Sequence, residues 1–211
     1  MWACWICRVV MAEQPLSEYA ARNTAPILEI LRREFGSASS VIEIGSGTGQ
    51  HAVAFAAALG HLRWQTSDLD ENHAGIRAWI ESARLPNVEP PLSIDVLSAT
   101  LDDASFDAAF SANTAHIMGI DAVERMFALV GGALRAGGVF CLYGPFKSGG
   151  VFNAPSNADF DRSLRRRDPV MGIRDIEALD DYAAASGLRR VRFYAVPSNN
   201  NVAVYLKAGD K

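Results

Sequence analysis

The sequence predicts an α/β fold with a mostly parallel, Rossmann-like sheet and helices on both faces. The stretch Val41–Gln50 reads VIEIGSGTGQ, so a β-branched apolar run passes through three glycines into the alanine-rich segment 51–59. Further apolar runs alternate with helical segments as far as Tyr143, which is typical of right-handed strand–helix–strand crossovers. A chain of 211 residues that is 49% hydrophobic and 21% charged suits one globular domain with a sizeable core.

The glycine stretch predicts a ligand-binding turn. Glycines allow positive φ angles and the close approach of a ligand, and the start of the next helix offers unpaired N–H groups. A dinucleotide fingerprint would need glycine at Gln50, and a P-loop would need Gly-Lys-Ser/Thr where Gln50 and His51 stand. What remains is an acidic-x-G-x-G-x-G pattern led by Glu43, which resembles the first motif of class I S-adenosylmethionine-dependent methyltransferases. A glycine-rich turn without a ligand is the alternative.

The elements before position 144 follow from the apolar pattern. We expect a helix over Met11–Ala21, and Thr24 is expected to cap a second helix that starts near Pro26 and ends at Gly36. Ligands of such sheets bind beyond the carboxyl ends of the strands, so polar residues at these ends are expected on one rim. The predicted strands are 41–44, 62–67, 88–94, 106–112 and 139–143, and the predicted helices are 51–59, 71–83 and 121–135.

The pattern changes after position 144. Residues 144–172 form a connection too long for an idle loop, and Ser156 begins a capping box that predicts a short helix through 160–166. Pro197–Asn201 is short enough to join two strands as an antiparallel hairpin. The elements predicted after the connection are the helix 176–185 and the strands 188–196 and 202–207.

Composition limits the classes of partner. The net charge of −4 argues against an unspecific grip on nucleic-acid backbones. No apolar run approaches the roughly 20 residues that span a bilayer, so no membrane contact is predicted. Three cysteines do not make a disulfide framework, so a cytoplasmic location is expected.

The first ten residues are predicted to be an unstructured extension, with Met11 the more natural start. Residues 11–211 are expected to form a single domain, because no composition shift or repeat divides them. Cys4 and Cys7 form a C-x-x-C pair, but no second pair or histidine cluster completes a zinc site. No metal site is therefore predicted.

Several motifs outside the glycine loop carry a resemblance to a known family. They are Arg22-Asn23, IEIGSGTGQHAVAFA at 42–56, WQTSD at 64–68, ANTAHI at 112–117, YGPF at 143–146, SNADFDRSLRRRDPVMGIRD at 156–175 and PSNN at 197–200. Together they resemble the methyltransferase-like 26 family from about Tyr19 to Lys207. The resemblance implies a class I methyltransferase fold with a seven-stranded sheet whose last strand is antiparallel. It supplies no settled substrate. Thr66 stands where proline is expected, and Met118-Gly119 replaces a proline–aromatic pair.

The resemblance implies S-adenosylmethionine as the cofactor. Glu43 would reach its ammonium, directly or through water. Asp68 would hold the ribose hydroxyls, and Asp70 is the rival for this role. Asp95 would take the adenine amino group, with an ordinary helix cap as the alternative. The full set of predicted cofactor residues is Glu43, Gly45, Ser46, Gly47, Thr48, Gly49, Gln50, His51, Asp68, Leu69, Asp95, Val96 and Asn113.

Catalytic residues are expected where the fourth and fifth strands end. Asn113 and His116 would lie near the transferred methyl, and His116 is a candidate general base because imidazole titrates near neutral pH. Packing is the alternative for His116 and for Tyr143. Arg22, Asn157, Asp161 and Arg174 are candidate substrate residues, and a structural role is the alternative for each. The dense cluster Arg162–Arg167 predicts an ion-paired helix or, alternatively, a phosphate or carboxylate substrate.

These observations favour an S-adenosylmethionine-dependent methyltransferase that acts on a small molecule. An RNA-modifying methyltransferase is the alternative that the arginine cluster allows and the net charge disfavours. A cofactor-binding protein without catalytic activity is the third hypothesis. The accepting atom and the oligomeric state are not predicted.

Overall fold

The computed structural model describes residues 14–209, so the prediction for residues 1–10 lies outside the described residues. A seven-stranded sheet has the order β3-β2-β1-β4-β5-β10-β9, and β10 alone runs against its neighbours among these seven. This confirms the predicted fold class. The strands are β1 (Ser40–Glu43), β2 (Arg63–Asp68), β3 (Val88–Ser93), β4 (Phe106–Ala112), β5 (Leu134–Gly144), β6 (Phe146–Ser148), β7 (Val151–Phe152), β8 (Arg174–Asp175), β9 (Leu188–Val196) and β10 (Asn200–Lys207).

Helices cover both faces of this sheet, because successive strand residues point to opposite sides and both sides are apolar. Val41 packs with Phe55 and Trp64 on one face, whereas Ile42 packs with Phe127 on the other. Within the described residues, no helix has the length and apolarity needed to cross a membrane. The helices are α1 (Glu18–Glu34), α2 (Gln50–Ala58), α3 (His73–Ala83), α4 (Ile120–Ala133), α5 (Pro155–Arg167) and α6 (Ile176–Ala185).

One margin of the sheet is chemically unusual. β3 is an outermost strand, and two of its residues are Pro90 and Pro91, which carry no N–H group. The register between β2 and β3 shifts between Gln65 and Ser67, and the Gln65 side chain donates to the Pro90 carbonyl at 2.7 Å. Side-chain hydrogen bonds therefore support the pairing where the prolines cannot donate.

The predicted break between two N-terminal helices is wrong. The structure has one helix, α1, which Ser17 caps through its hydroxyl and which contains Pro26. Thr24 is not a cap, since its hydroxyl donates to the Ala20 carbonyl at 2.7 Å inside the helix. The interior proline costs about 3 kcal/mol, but the side chains of Ile27 and Leu31 are fully buried and offset this cost at about 1.5–3 kcal/mol each.

The long connection also departs from prediction. Ala154 occupies the cap position of α5 and Pro155 begins the helix, so Ser156 lies inside it and its hydroxyl accepts from the Asn199 amide at 3.2 Å. A second sheet of order β7-β6-β8 was not predicted. Its strands are only two or three residues long, too short to show an alternating pattern.

Candidate functional site

A cavity of about 540 Å³ lies at the carboxyl ends of β1, β2, β3 and β4. Parallel strands bring these ends to one edge of the sheet, which is where ligands of such folds bind. The structure brings most of the predicted cofactor residues together here, although Gly49 and Gln50 do not line the cavity. The predicted residues that do are Glu43, Gly45, Ser46, Gly47, Thr48, His51, Asp68, Leu69, Asp95, Val96 and Asn113.

The three glycines of the loop have different reasons to lack a side chain. All have positive φ, at 75° for Gly45, 58° for Gly47 and 86° for Gly49. A Cβ at Gly45 would lie 2.6 Å from the Thr114 methyl carbon, and one at Gly49 would lie 2.9 Å from the Ile76 Cα. A Cβ at Gly47 would meet nothing within 4 Å. Gly45 and Gly49 therefore serve packing, whereas Gly47 leaves open the space where a ligand could approach.

The loop is fixed to the neighbouring strand. The N–H groups of Gly45 and Ser46 donate to the Ser67 carbonyl at 3.1 and 2.8 Å. The Ser67 hydroxyl in turn donates to the Glu43 carbonyl at 2.6 Å. These bonds join the turn to the ends of β1 and β2.

Glu43 is a buried acid beneath the loop. Its Oε2 accepts from the Ser46 hydroxyl at 2.9 Å and from the Trp64 indole N–H at 3.0 Å. Burial raises the pKa of Glu43 to about 7; these two hydrogen bonds oppose the rise, and the charge of Asp68 adds to it. Near neutral pH the carboxyl is therefore poised between its two protonation states, and a cation in the cavity would favour ionisation.

Asp68 closes the loop from the end of β2. Its Oδ2 accepts from the Gly47 N–H at 2.6 Å, and its Oδ1 accepts from the Leu69 N–H and the Asn72 amide, both at 2.8 Å. A carboxylate has about four acceptor sites, so about one remains for a ligand hydroxyl. The rival Asp70 is largely exposed, and its carboxylate lies 3.8 Å from His73 Nδ1. Asp68 lines the cavity and Asp70 does not, and the ribose role stays a prediction.

Asp95 and Val96 form the next part of the wall, after β3. The Asp95 carboxylate accepts from the Leu97 N–H at 3.0 Å, and its carbonyl accepts from the N–H groups of Ser98 and Ala99. These bonds close a turn at residues 96–98, and the alternative of a helix cap is wrong because no helix lies between β3 and β4. The Asp95 side chain is exposed at the cavity, and Val96 is buried beside it.

Gln50 and His51 connect the loop to the N-terminal part of the chain. Gln50 Oε1 accepts from the Ser17 N–H at 3.0 Å, and His51 Nε2 lies 3.1 Å from the Ala20 carbonyl. The His51 ring stacks on Phe55 with centroids 5.1 Å apart, and burial lowers its pKa. Both side chains therefore shape the cavity through α1, a role that their sequence positions did not indicate.

Asn113 is the predicted catalytic residue that lies in the cavity wall. Its φ is 62°, in the left-handed region that a non-glycine residue seldom adopts. Its N–H donates to the Tyr143 carbonyl at 2.9 Å, which ties this residue to the end of β5. Asparagine adopts this region more readily than most residues, so this conformation directs the chain at the cavity wall at little cost.

His116 and Tyr143 lie outside the cavity lining. The His116 ring packs edge-on against Phe160, with centroids 5.3 Å apart. Burial lowers the pKa of His116 to about 4, and the charges of Arg174 and Arg167 add to this effect. The imidazole is thus neutral and weakly basic at pH 7. A pH limb caused by His116 would lie near pH 4, and the base role stays a prediction.

Tyr143 is buried at the end of β5, among the residues that pack under α1 and α2. Burial raises the pKa of its phenol to about 12, and the nearby Asn200 side chain partly opposes the rise. This contact does not meet the geometry of a hydrogen bond, and the hydroxyl has no other partner among the described residues. The packing alternative fits its buried ring, and the catalytic role of Tyr143 stays a prediction.

The candidate substrate residue Arg174 is bound within the chain. Its guanidinium donates to the carbonyls of Ala115, Met118 and Val170. Burial lowers the pKa of Arg174. The hydrogen bonds of its guanidinium hold in place the segment that follows β4. The structure therefore supports a positioning role for Arg174.

Asn157, Asp161 and Arg22 also lie away from the cavity lining. The Asn157 amide donates to the Asn199 carbonyl at 3.0 Å, which joins α5 to the β9–β10 turn. Asp161 accepts from the Ile173 N–H at 2.7 Å and from Arg165 at 2.8 Å. Arg22 lies exposed on α1. Their substrate role stays a prediction.

The cavity also contains residues that the sequence did not indicate. Asn72 orients the Asp68 carboxylate, and Ser17 reaches the cavity from the start of α1. The Ser17 contact with Gln50 spans 33 positions, whereas Asn72 lies four positions after Asp68, and neither contact belongs to a recognised motif. An apolar wall completes the cavity, and of its members Met118 was noted from the sequence, as a departure from the family pattern. Its members are Ile94, Ile117, Met118 and Ala122.

Solved structures with the same architecture define the class of fold. An O-methyltransferase family protein from Burkholderia thailandensis matches with a TM-score of 0.78 at 14% identity, over 91% of this chain and 58% of that one. Mitomycin 7-O-methyltransferase MmcR matches with 0.77 at 18%, over 90% and 55%. Human N-acetylserotonin methyltransferase in complex with SAM matches with 0.71 at 12%, over 92% and 53%. The chain has the Rossmann-like methyltransferase fold and spans little more than half of each solved chain.

The family itself is shown by a family model. The model described as "Protein of unknown function (DUF938)" matches residues 14–207. Because the match covers nearly the whole chain, the protein belongs to this family. The description names no activity, and the resemblance to the methyltransferase-like 26 family stays a prediction.

Proposed function

We propose that this protein is an S-adenosylmethionine-dependent methyltransferase that acts on a small molecule. The observation that carries the proposal is the cavity, in which four strand ends bring together the glycine loop, Asp68, Asp95 and Asn113. Its volume of about 540 Å³ lies within the range of about 300–1,000 Å³ typical of small-molecule sites.

The residues present fit the parts of this cofactor. Gly47 leaves space beside the backbone for the amino-acid end, and the acid of Glu43 suits an ammonium group. Asp68 keeps about one acceptor site for a ribose hydroxyl. The apolar side chains of Ile94, Val96 and Ile117 offer a surface for a purine.

The chemistry at this site would rest on positioning. The cofactor would supply a methyl group on a positively charged sulfur, which makes the carbon electrophilic. The chain would hold the acceptor in line with this carbon and exclude water, and orientation alone can supply several kcal/mol. Asn113, fixed in a left-handed conformation at the rim of β4, is suited to orient the reacting groups.

A small acceptor is supported by two observations. The names of structural neighbours refer to small acceptors, mitomycin and N-acetylserotonin, although the shared identity is low. The net charge of −4 does not favour a polyanion such as RNA. In α5, Arg162 and Arg165 pair with Asp159 and Asp161, so half of the arginine cluster is already neutralised.

The test is calorimetric titration with S-adenosylmethionine and S-adenosylhomocysteine, with ATP as the control. We expect both sulfur ligands to bind and ATP not to bind. Failure of both would remove the methyltransferase proposal. The protein and S-adenosylmethionine are then incubated with a low-molecular-mass cell extract and, in a separate mixture, with RNA. Formation of S-adenosylhomocysteine is measured in each mixture. Binding without transfer in either mixture would favour the cofactor-binding protein.

A further inference from the structure

The segment before α1 forms part of the cavity wall. We call residues Gln14–Ser17 the strap. Ser17 at its end and Ala20 in the first turn of α1 both line the cavity. Thr48, before α2, and Asn72, before α3, line the same cavity. The strap and the starts of these two helices therefore contribute to one cavity.

Three hydrogen bonds attach the strap to these helices. Gln50 Oε1 in α2 accepts from the Ser17 N–H at 3.0 Å. Trp79 Nε1 in α3 donates to the Pro15 carbonyl at 2.9 Å. These two bonds join a helix side chain to the strap backbone, whereas the third, from Gln14 Nε2 to the Ala78 carbonyl of α3 at 3.4 Å, uses a side chain of the strap.

The strap is otherwise lightly held. Leu16 is 78% exposed, and Pro15 is also exposed. A segment with few buried apolar contacts opens at a small free-energy cost compared with global unfolding. By contrast, α1 behind it buries Ile27 and Leu31 completely. The strap can therefore separate from α2 and α3 while α1 stays in place.

Gly75 in the first turn of α3 allows the strap to pack closely against this helix. A Cβ at this position would be 2.8 Å from Pro15 Cγ and 3.4 Å from its Cδ. Contacts under 3.0 Å require one partner to move, and the exposed Pro15 is the partner that can. The closed strap thus depends on glycine here, in a helix where alanine would otherwise be preferred.

We propose that the strap is a gate on the cavity, and that Gln50 and Trp79 are positioning residues that hold it closed over S-adenosylmethionine. This rests on the proposed function, since it assigns a route for exchange of the same ligand. The proposal also explains why Gln50 stands where a dinucleotide fingerprint would have glycine. The Gln50 side chain binds the strap at this position, whereas a glycine would leave space for a pyrophosphate.

The experiment combines amide hydrogen exchange with stopped-flow release of S-adenosylhomocysteine. In the wild type, the ligand is expected to slow exchange in residues 14–21 at least fivefold and to leave α6 unchanged. Gln50→Leu removes one hydrogen bond, so exchange in the free protein and ligand release should both accelerate about 2- to 10-fold. Gln50→Glu retains the acceptor oxygen and should restore wild-type rates.

Gly75→Ala separates gating from damage to the fold. The substitution raises the helix propensity of α3, so the melting temperature of the free protein should stay level or rise. The new Cβ displaces Pro15, so ligand release should nevertheless accelerate. Faster release from a protein that is no less stable is a result that a purely structural wall does not produce.

Two results would overturn the gate. If S-adenosylhomocysteine binds, but exchange in the strap is unaffected and Gly75→Ala releases it at the wild-type rate, the strap is a fixed wall and the proposed function stands. If calorimetry shows no binding to the wild type, the proposed function fails and the gate fails with it.

Discussion

Asp68 and Asp70 are two residues apart, yet their surroundings differ sharply. The Asp68 carboxylate receives three N–H groups from the loops around the cavity, whereas the Asp70 side chain is 80% exposed. We expect Asp68→Ala to weaken S-adenosylmethionine binding by about 1–3 kcal/mol, the range for losing a hydrogen-bonded charged partner. Calorimetry measures this loss, and Asp70→Ala is the matched control that should bind normally. A larger loss in the control would transfer the ribose role to Asp70.

Glu43 predicts a pH dependence of stability with a definite sign. Its pKa rises from 4.5 to about 7 on folding, so between these values the unfolded chain is ionised while the folded one keeps its proton. The contribution of Glu43 to the free energy of unfolding is therefore greatest below pH 4.5. It falls by about 3 kcal/mol as the pH rises from 4.5 through 7. Glu43→Gln removes this loss and can still accept from Ser46 and Trp64.

The measurement is urea denaturation of wild type and Glu43→Gln at pH 5 and pH 8. The variant should gain free energy of unfolding relative to the wild type at pH 8, and the gain should shrink at pH 5. His116 has a lowered pKa of about 4, so it destabilises the fold in acid, but it does so in both proteins and cancels. An equal difference at the two pH values would contradict the raised pKa of Glu43.

At the scale of elements, Arg174 in β8 supports the segment between β4 and α4. It donates to three carbonyls, at Ala115, Met118 and Val170, and two of these belong to that segment. Arg174→Leu leaves the buried carbonyl of Ala115 and the partly buried carbonyls of Met118 and Val170 without their donor, at about 1–3 kcal/mol for each group that water cannot reach. We expect a loss of at least about 2 kcal/mol in urea denaturation. Arg166→Ala, at an exposed position of α5, should stay within about 0.5 kcal/mol of wild type.

The elements that the sequence predicted well are those with a strong local period. β4 and α6 match their predicted bounds, because apolar residues repeat there at the spacing of a strand or a helix. The N-terminal helix was divided at Thr24 because proline normally starts a helix, and burial of Ile27 and Leu31 outweighs that preference. A local sequence preference is overridden where tertiary packing contributes more free energy than the preference does.

The same division holds for the site. Asp68 and Asn113 were predicted because each follows a strand, and strand ends share one rim. Ser17 was missed because its contact is with Gln50, 33 positions away. Asn72 lies only four positions after Asp68, but no motif indicates that its amide binds this carboxylate. His116 also follows β4, but its ring turns toward Phe160 in α5. Position after a strand predicts the neighbourhood of a side chain and not its direction.

At the scale of the molecule, ligand binding should appear as added stability. A ligand at 100 times its Kd that binds only the folded protein adds about 2.7 kcal/mol. Gly47→Val places a branched side chain in the open space of the loop, and its φ of 58° costs a further 1–2 kcal/mol or so in the free protein. We expect a lower melting temperature and no shift with S-adenosylhomocysteine. A shift of wild-type size in Gly47→Val would show that the loop does not contact the ligand.

The prolines of β3 bear on how the protein behaves when concentrated. Pro90 and Pro91 stand next to each other in an outermost strand. Because the N–H groups of successive strand residues point to opposite edges, one of these two positions lacks the donor that an incoming chain would need. Addition of a further strand at this margin is therefore discouraged by a missing hydrogen-bond donor, as is common for outermost strands of natural sheets.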